Sequence, residues 1–255
     1  RQSSANTAEL LQRDPENRLL ARAPRFRLPA WMIRDNALHV SGLLNPAIGG
    51  PPVFPYQPEG VWAEITMGRF DYDPSLGPAQ YRRTIYGFWR RSVAPTFLFD
   101  SAQRRVCEVG LRRTNTPLHA LTLMNDTTML ESCRALADLA FDQANTHENR
   151  DQLGQVAEQA KVRNAFTIDA DTWTGCLQSL AHRVLNRRFT RVEVEQLRDI
   201  WQSAFVYFQE HATEAADFAT IGQQTRPTQQ AAPMIASWMT VATAILNLDE
   251  AMTRE

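Results

Sequence analysis

The sequence predicts a mainly α-helical fold, irregular in outline, with long ordered loops rich in proline and glycine and little or no sheet. Three observations predict it. Apolar residues recur at helical spacing in several segments, the clearest being Met129, Leu130, Cys133, Leu136, Ala137, Ala140 and Phe141. No alternating apolar and polar run is long enough for a large sheet. The stretch IGGPPVFPYQPEGVW carries Pro51, Pro52, Pro55 and Pro58, which withhold backbone donors from any helix interior or central strand. With 255 residues, 44% of them apolar, the chain can bury a substantial core.

Taken in order, Ala30 to Leu44 reads as a helix with Ile33, Ala37, Val40 and Leu44 on one face, stopped by Asn45-Pro46. The proline-dense stretch that follows is an ordered loop, because Phe54, Tyr56 and Trp62 give it apolar anchors. A second helix is expected over Tyr81 to Arg91, then short extended pieces in PTFLFD and RRVCEVGLRR. Thr116 is placed to cap a helix opening at Pro117, since proline lacks the amide hydrogen that the first helical position cannot use. Leu118, Leu121 and Met124 are expected to face inward. The chain then breaks at Asn125-Asp126, and Asp126 caps the Met129–Phe141 helix.

Residues 142 to 170 are polar and read as a surface connection with some helix. Trp173, Cys176, Leu177, Leu180, Ala181 and Val184 mark an amphipathic helix. Thr190 and Glu193 form a capping box for a helix striped by Leu197, Ile200, Trp201, Ala204, Phe205 and Phe208. The uncharged run 231–248 raises a transmembrane question on length alone. Met234, Trp238, Val241, Ile245, Leu248 and Met252 recur at helical spacing beside Ser237, Thr240, Thr243 and Asn247, so a core helix is the simpler reading and no transmembrane segment is expected.

The net charge of −1 gives no reason to expect nucleic acid as a partner. The balance is uneven: residues 1–113 hold 16 arginines and 10 acids, residues 114–255 hold 11 Lys plus Arg and 18 acids, so the two halves are expected to attract. Three scattered cysteines, Cys107, Cys133 and Cys176, make no zinc ribbon and no C-x-x-C-H haem attachment, although one disulfide is possible. The histidines lack ligand spacing, so no metal is expected. Asp35 and His39 stand four apart on a helix, the spacing of an oriented base or of a plain surface pair. Tyr56, Gln57, Glu59 and Trp62 offer rings, an amide and a carboxylate on one stiff loop, suited either to a sugar or to clamping the loop onto the core. Arg82, Arg83, Arg90 and Arg91 suit an anionic polymer, or pairing with Asp100, Glu108 or Asp126.

Several long stretches carry a family resemblance: RAPRFRLPAWMIRDNALHVSGLLNPAIGGPPVFPYQPEGVW, YRRTIYGFWRRSVAPTFLFDSAQRRVCEVGLRRTNTPLHALTLMND and ILNLDEAMTRE. Together they resemble domain of unknown function 1553, the planctomycete surface PSD-one domain. The resemblance implies that residues 1–255 are the C-terminal part of one such domain, with a motif-rich half (1–126) and a helical half (127–255), and that an N-terminal part is missing. It further implies an exported protein, periplasmic or at the cell surface, from planctomycetes, verrucomicrobia or related bacteria. In such proteins a c-type haem domain often lies upstream; no cofactor is expected in this chain. The family brings no catalytic role with it.

Candidate binding residues are Arg34, Asp35, Tyr56, Gln57, Glu59, Trp62, Arg90 and Arg113, and the candidate structural motif is Asn115, Thr116, Pro117, Asn125 and Asp126. The expected partners are the missing N-terminal domains and an anionic polysaccharide. The expected role is a scaffold or binding module in a cytochrome-linked or polysaccharide-processing assembly. The rival is a glycan-acting enzyme using Glu59 with Asp35 or Asp100 as paired carboxylates.

Overall fold

A computed structural model describes residues 7–90, 94–95, 97–99, 115–151, 170–223 and 231–254. Among the described residues the fold is mainly α. The N-terminal half holds α1 (Ala8–Arg13), β1 (Phe26–Arg27), α2 (Ala30–Val40), α3 (Val61–Thr66) and two 3-10 turns, Gly77–Ala79 and Thr84–Tyr86. The C-terminal half holds α4 (Pro117–Asn125), α5 (Thr127–Asp151), α6 (Ala170–Leu185), α7 (Arg191–Glu210), α8 (Ala212–Ala219), α9 (Ala232–Leu246), α10 (Asp249–Met252) and β2 (Thr253–Arg254). β1 and β2 pair antiparallel, Phe26 opposite Arg254, which ties the end of the chain to its beginning. The Arg25–Asp249 ion pair reinforces that tie.

The uncharged run forms α9, the central helix, packed against α5, α6, α7 and α8. Met234 through Met239 are all buried, as are Val241, Ala242, Ile245 and Leu246. A helix buried on nearly every side must satisfy its own hydroxyls, and it does: Ser237, Thr240 and Thr243 each donate to the carbonyl four residues back. Trp238 sits at the middle, with Trp173 at 5.6 Å and Phe141 edge-on at 5.9 Å between ring centres. Each such side chain contributes about 1.5–3 kcal/mol on burial. No helix among the described residues is long and apolar enough to cross a membrane.

α5 buries every residue of its predicted stripe, and α6 buries all of its own except Val184, which is half-buried. Cys133 and Cys176 are free and buried in this core, so no disulfide joins them. Burial pushes the Cys133 thiol up to about 12, leaving it a small apolar filler.

Several expectations fail, each for a local reason. α2 stops at Val40 because Gly42 turns left-handed, letting the amides of Leu43 and Leu44 return to Leu38 O. Of the helix expected over Tyr81–Arg91, the described residues 81–90 hold a single 3-10 turn, Thr84–Tyr86, whose backbone is committed elsewhere. Tyr81 O accepts from Asn45 N at 2.9 Å, Thr84 N donates to the Asp35 carboxylate at 2.8 Å, and Tyr86 O accepts from Val53 N at 2.9 Å. α4 is rotated from its expected orientation. His119 reaches back to the Thr116 amide at 3.5 Å and stacks on Phe99, and Leu123 enters the core, so Leu118, Leu121 and Met124 are exposed. Ile200 and Leu248 are also exposed. α1, α3 and α8 have no counterpart in the sequence reading.

The capping box of α7 is present, and it extends into a clamp. Thr190 N and Oγ1 donate to Glu193, and Arg187 donates to both Glu193 and Glu250, joining the α6–α7 corner to α10. These bonds raise the Arg187 guanidinium above its ordinary range and hold the Glu193 carboxyl down to about 2. A carboxyl depressed by folding stabilises the native state above its unfolded range near 4.5, and that stabilisation is lost as pH falls toward about 2. Arg187→Ala should therefore melt about 2–4 °C below wild type at neutral pH. The gap should close in acid scans from pH 5 to 2.5; a constant gap would remove this account.

Candidate functional site

The loop leading to α3 is held from below by groups that replace the pairing its prolines cannot offer. The fully buried Gln80 amide is oriented so that its nitrogen donates to Phe54 O at 2.9 Å and its oxygen accepts from Tyr56 N at 3.0 Å. Phe54 N donates to Ser75 Oγ at 2.8 Å, and Ser75 N returns to Phe54 O at 2.9 Å. The segment 70–75 is thus strapped alongside the proline loop. Tyr72 closes the strap, its hydroxyl donating to Pro55 O at 2.5 Å. Gly60, with φ of 80°, caps α3 in a left-handed turn that brings Trp62 inward.

Between the two segments lies a cleft of about 650 Å³, lined by residues 56–60, 62–63 and 70–74. One wall is aromatic: Trp62 stacks on Tyr72 at 5.0 Å and lies 5.1 Å from Phe70, with Phe88 and Phe54 behind. Arg90 covers the ring of Phe70 at 4.8 Å, a cation–π contact at the edge of the cleft. The remaining lining includes three exposed carboxylates, Glu59, Asp71 and Asp73. Burial raises the Tyr72 hydroxyl to about 12, so it stays a neutral donor. Trp62 is 4% exposed and its indole nitrogen completes no hydrogen bond. The Gln57 amide comes close enough to Tyr72 to act on its hydroxyl, yet neither amide atom completes a bond of good geometry.

Tyr56 joins the cleft to the helical core. Its hydroxyl donates to Glu131 Oε1 at 3.0 Å, where Tyr81 Oη donates at 2.8 Å and the Gln223 amide at 2.5 Å. Glu131 is fully buried on α5, and burial beside it drives the Tyr56 hydroxyl well above the ordinary phenol range. Arg34 is the matching cation. It is 2% exposed and donates to Gln80 O, Arg82 O and Thr84 Oγ1 at 2.9–3.2 Å, with Phe97 5.1 Å beneath it. Burial lowers its guanidinium from the usual range, and Asp126, Asp35 and Glu131 oppose that fall. Asp126 is raised by its own burial, and Arg34 partly offsets the rise.

The candidate residues therefore separate into two places. Tyr56, Gln57, Glu59 and Trp62 line the cleft, with Arg90 over its aromatic wall. Arg34 and Asp35 are inside the fold, and Asp35 accepts from Thr84 N and Oγ1 while His39 is exposed on the next turn. The Asp35–His39 base is not assembled, and Asp35 does not line the cleft with Glu59. Arg113 and Asp100 lie outside the described residues. Among the described residues no acid pairs with Arg82; it donates to the carbonyls of Pro51, Ala47 and Gly49 and stacks on Tyr86 at 3.9 Å. Of the corner residues, Thr116 precedes Pro117 at the start of α4, Asn125 donates to Leu121 O, and Asp126 caps α5 through Met129 N. Asn115 is exposed. Sequence reasoning missed Glu131, Tyr81, Asp71, Tyr72 and Asp73. A clue was present in Glu131, an acid lying between core positions 130 and 133.

An irregular helical scaffold that carries one loop-built cleft beside a buried ionic network defines the class of protein. The chain belongs to the family described as protein of unknown function (DUF1553), which it matches over residues 1–201. No curated protein and no solved structure matches it.

Proposed function

We propose that the chain is a scaffold and ligand-binding module of an exported, periplasmic or surface-attached multidomain protein, serving a polysaccharide-processing or cytochrome-linked assembly. In this reading the helical core supports the cleft, which holds a saccharide. N-terminal domains of the same polypeptide carry out any reaction, and a c-type haem, where one is used, belongs to them. The observation that supports this reading is the cleft itself: an aromatic wall and three exposed carboxylates line a space suited to a few sugar rings.

The rival enzyme reading is weaker in the form that pairs Glu59 with Asp35, because Asp35 is bonded to Thr84 and does not line the cleft. Glycan-array binding followed by calorimetry tests the proposal. We expect saccharide binding without turnover, weakened at least about tenfold by Glu59→Ala, roughly the effect of losing one or two good polar contacts. Hydrolysis of the bound glycan would instead favour the enzyme, and an array with no binder would remove the saccharide reading.

A further inference from the structure

We infer that residues 68–76, the far wall of the cleft, form a flap that swings on Gly68 and Gly77 and is latched by Gln223, so that release of Gln223 opens the cleft whatever ligand it takes. The near end of the flap is the last turn of α3, where Gly68 N donates to Ala63 O at 3.0 Å and Arg69 N to Thr66 O at 3.1 Å. The far end is held across the chain. Ser75 exchanges two bonds with Phe54, and the Gln223 side chain spans the turn that follows: its nitrogen donates to Ser75 O and its oxygen accepts from Gly77 N, both at 2.8 Å. Between these ends Phe70 and Tyr72 pack on Trp62, while Asp71, Asp73 and Leu76 are exposed. The outer side therefore faces solvent, and the segment can swing outward without displacing a packed element.

The backbone is suited to that motion. Gly68 and Gly77 are left-handed, with φ of 69° and 61°, and a Cβ on either would meet nothing within 4 Å, so neither hinge is wedged in place. Glycine crosses between left- and right-handed backbone at little steric cost. Met67, left-handed at φ of 52°, sheds strain when it leaves that conformation. Both walls of the cleft are referred to one oxygen in the core. Tyr56 Oη, from the near wall, donates directly to Glu131 Oε1 at 3.0 Å; the far wall reaches the same oxygen through Gln223, whose amide donates at 2.5 Å. Gln223 is thus a positioning residue that sets the spacing of the walls from behind the flap. Opening parts Phe70 and Tyr72 from Trp62 and wets their rings, which favours reclosure over whatever fills the gap.

The test is hydrogen exchange on the full chain without ligand, resolved to single amides. Gln223→Ala should speed exchange at Ser75 and Gly77 by about ten- to a hundredfold, the effect of losing two hydrogen bonds. Arg69, at the other hinge and out of contact with Gln223, should speed up with them, while amides of α5 and α9 stay unchanged. Trp62, 4% exposed when the flap is closed, should become at least about twofold more quenchable by acrylamide, read as the difference from a Trp62→Phe counterpart. Gln223→Glu keeps an acceptor for Gly77 N and loses only the donor to Ser75 O, so it should give a smaller effect in the same places; it carries the test if Gln223→Ala loses its circular dichroism signal. Acceleration at Gly77 alone, equal acceleration in α5 and α9, or unchanged Trp62 quenching would each overturn the flap. The glycan array decides the saccharide reading separately, so either can fail alone.

Discussion

Glu131→Ala is expected to destabilise the native state by about 3–5 kcal/mol, the usual cost of removing one partner from a buried ionic network. The carboxylate oxygen it deletes accepts from Tyr56 Oη, Tyr81 Oη and Gln223 N. Tyr81 and Gln80 are buried, so their segment cannot swing out to water to recover the lost bond. Urea unfolding should show the midpoint falling with little change in slope, and Glu131→Gln should recover only part of the loss because its amide accepts fewer charge-assisted bonds. A loss under about 1 kcal/mol would show that the three donors find other acceptors.

The same site makes a sharper companion prediction at Gly222. Its φ is +85°, and a Cβ built there would lie 2.2 Å from Glu131 Oε1. Gly222→Ala must therefore push the carboxylate off its donors as well as bear the left-handed strain. In the Glu131→Ala background the clash is gone and only the strain remains, about 1 kcal/mol. The two substitutions should be strongly non-additive in a double-mutant cycle, which separates the clash from backbone strain.

Which of these features the sequence reveals follows from how local each one is. The stripes of α5 and α6, the Met234–Ile245 part of the last stripe and the Thr190–Glu193 box depend on residues within a turn or two of each other, and the structure keeps them. The failures occur where distant groups take over the backbone. Tyr81–Arg91 has the composition of a helix, but Asp35, Asn45 and Val53, 30 to 50 positions away, claim the amides and carbonyls that a helix would use. α4 has three leucines and one methionine to choose among, and a stacked His119 on Phe99 decides its orientation. The proline loop was recognisable because Tyr56 and Trp62 mark it. The opposite wall, Phe70 to Pro74, carries no spacing signal and joins the site through the Phe54–Ser75 strap. The charge excess of each half was visible, and it is expressed in contacts such as Arg25 with Asp249 and Arg34 near Asp126.

Arg34→Ala should be at least as damaging as loss of Glu131, about 3–5 kcal/mol, and its pH dependence should identify the cause. Removing the guanidinium strips donors from Gln80 O, Arg82 O and Thr84 Oγ1 and leaves Asp126 without its nearest cation. Arg34→Lys should still lose about 1–3 kcal/mol, since an ammonium cannot present the planar fork that reaches two carbonyls and a hydroxyl together. The pH argument rests on Asp126, whose carboxyl is already raised above its ordinary 3.8 by burial and is held back from rising further by Arg34. An acid raised by folding binds its proton more tightly in the native state, so stability falls as pH climbs between the unfolded and folded values. Without Arg34 that window extends upward. The difference between wild type and Arg34→Ala should therefore be smallest near pH 4 and widen toward pH 7, whereas loss of hydrogen bonds alone would give a gap independent of pH. Adding Asp126→Asn to Arg34→Ala should flatten the widening while leaving most of the loss at pH 4, because the carbonyls of Gln80 and Arg82 remain without their donor.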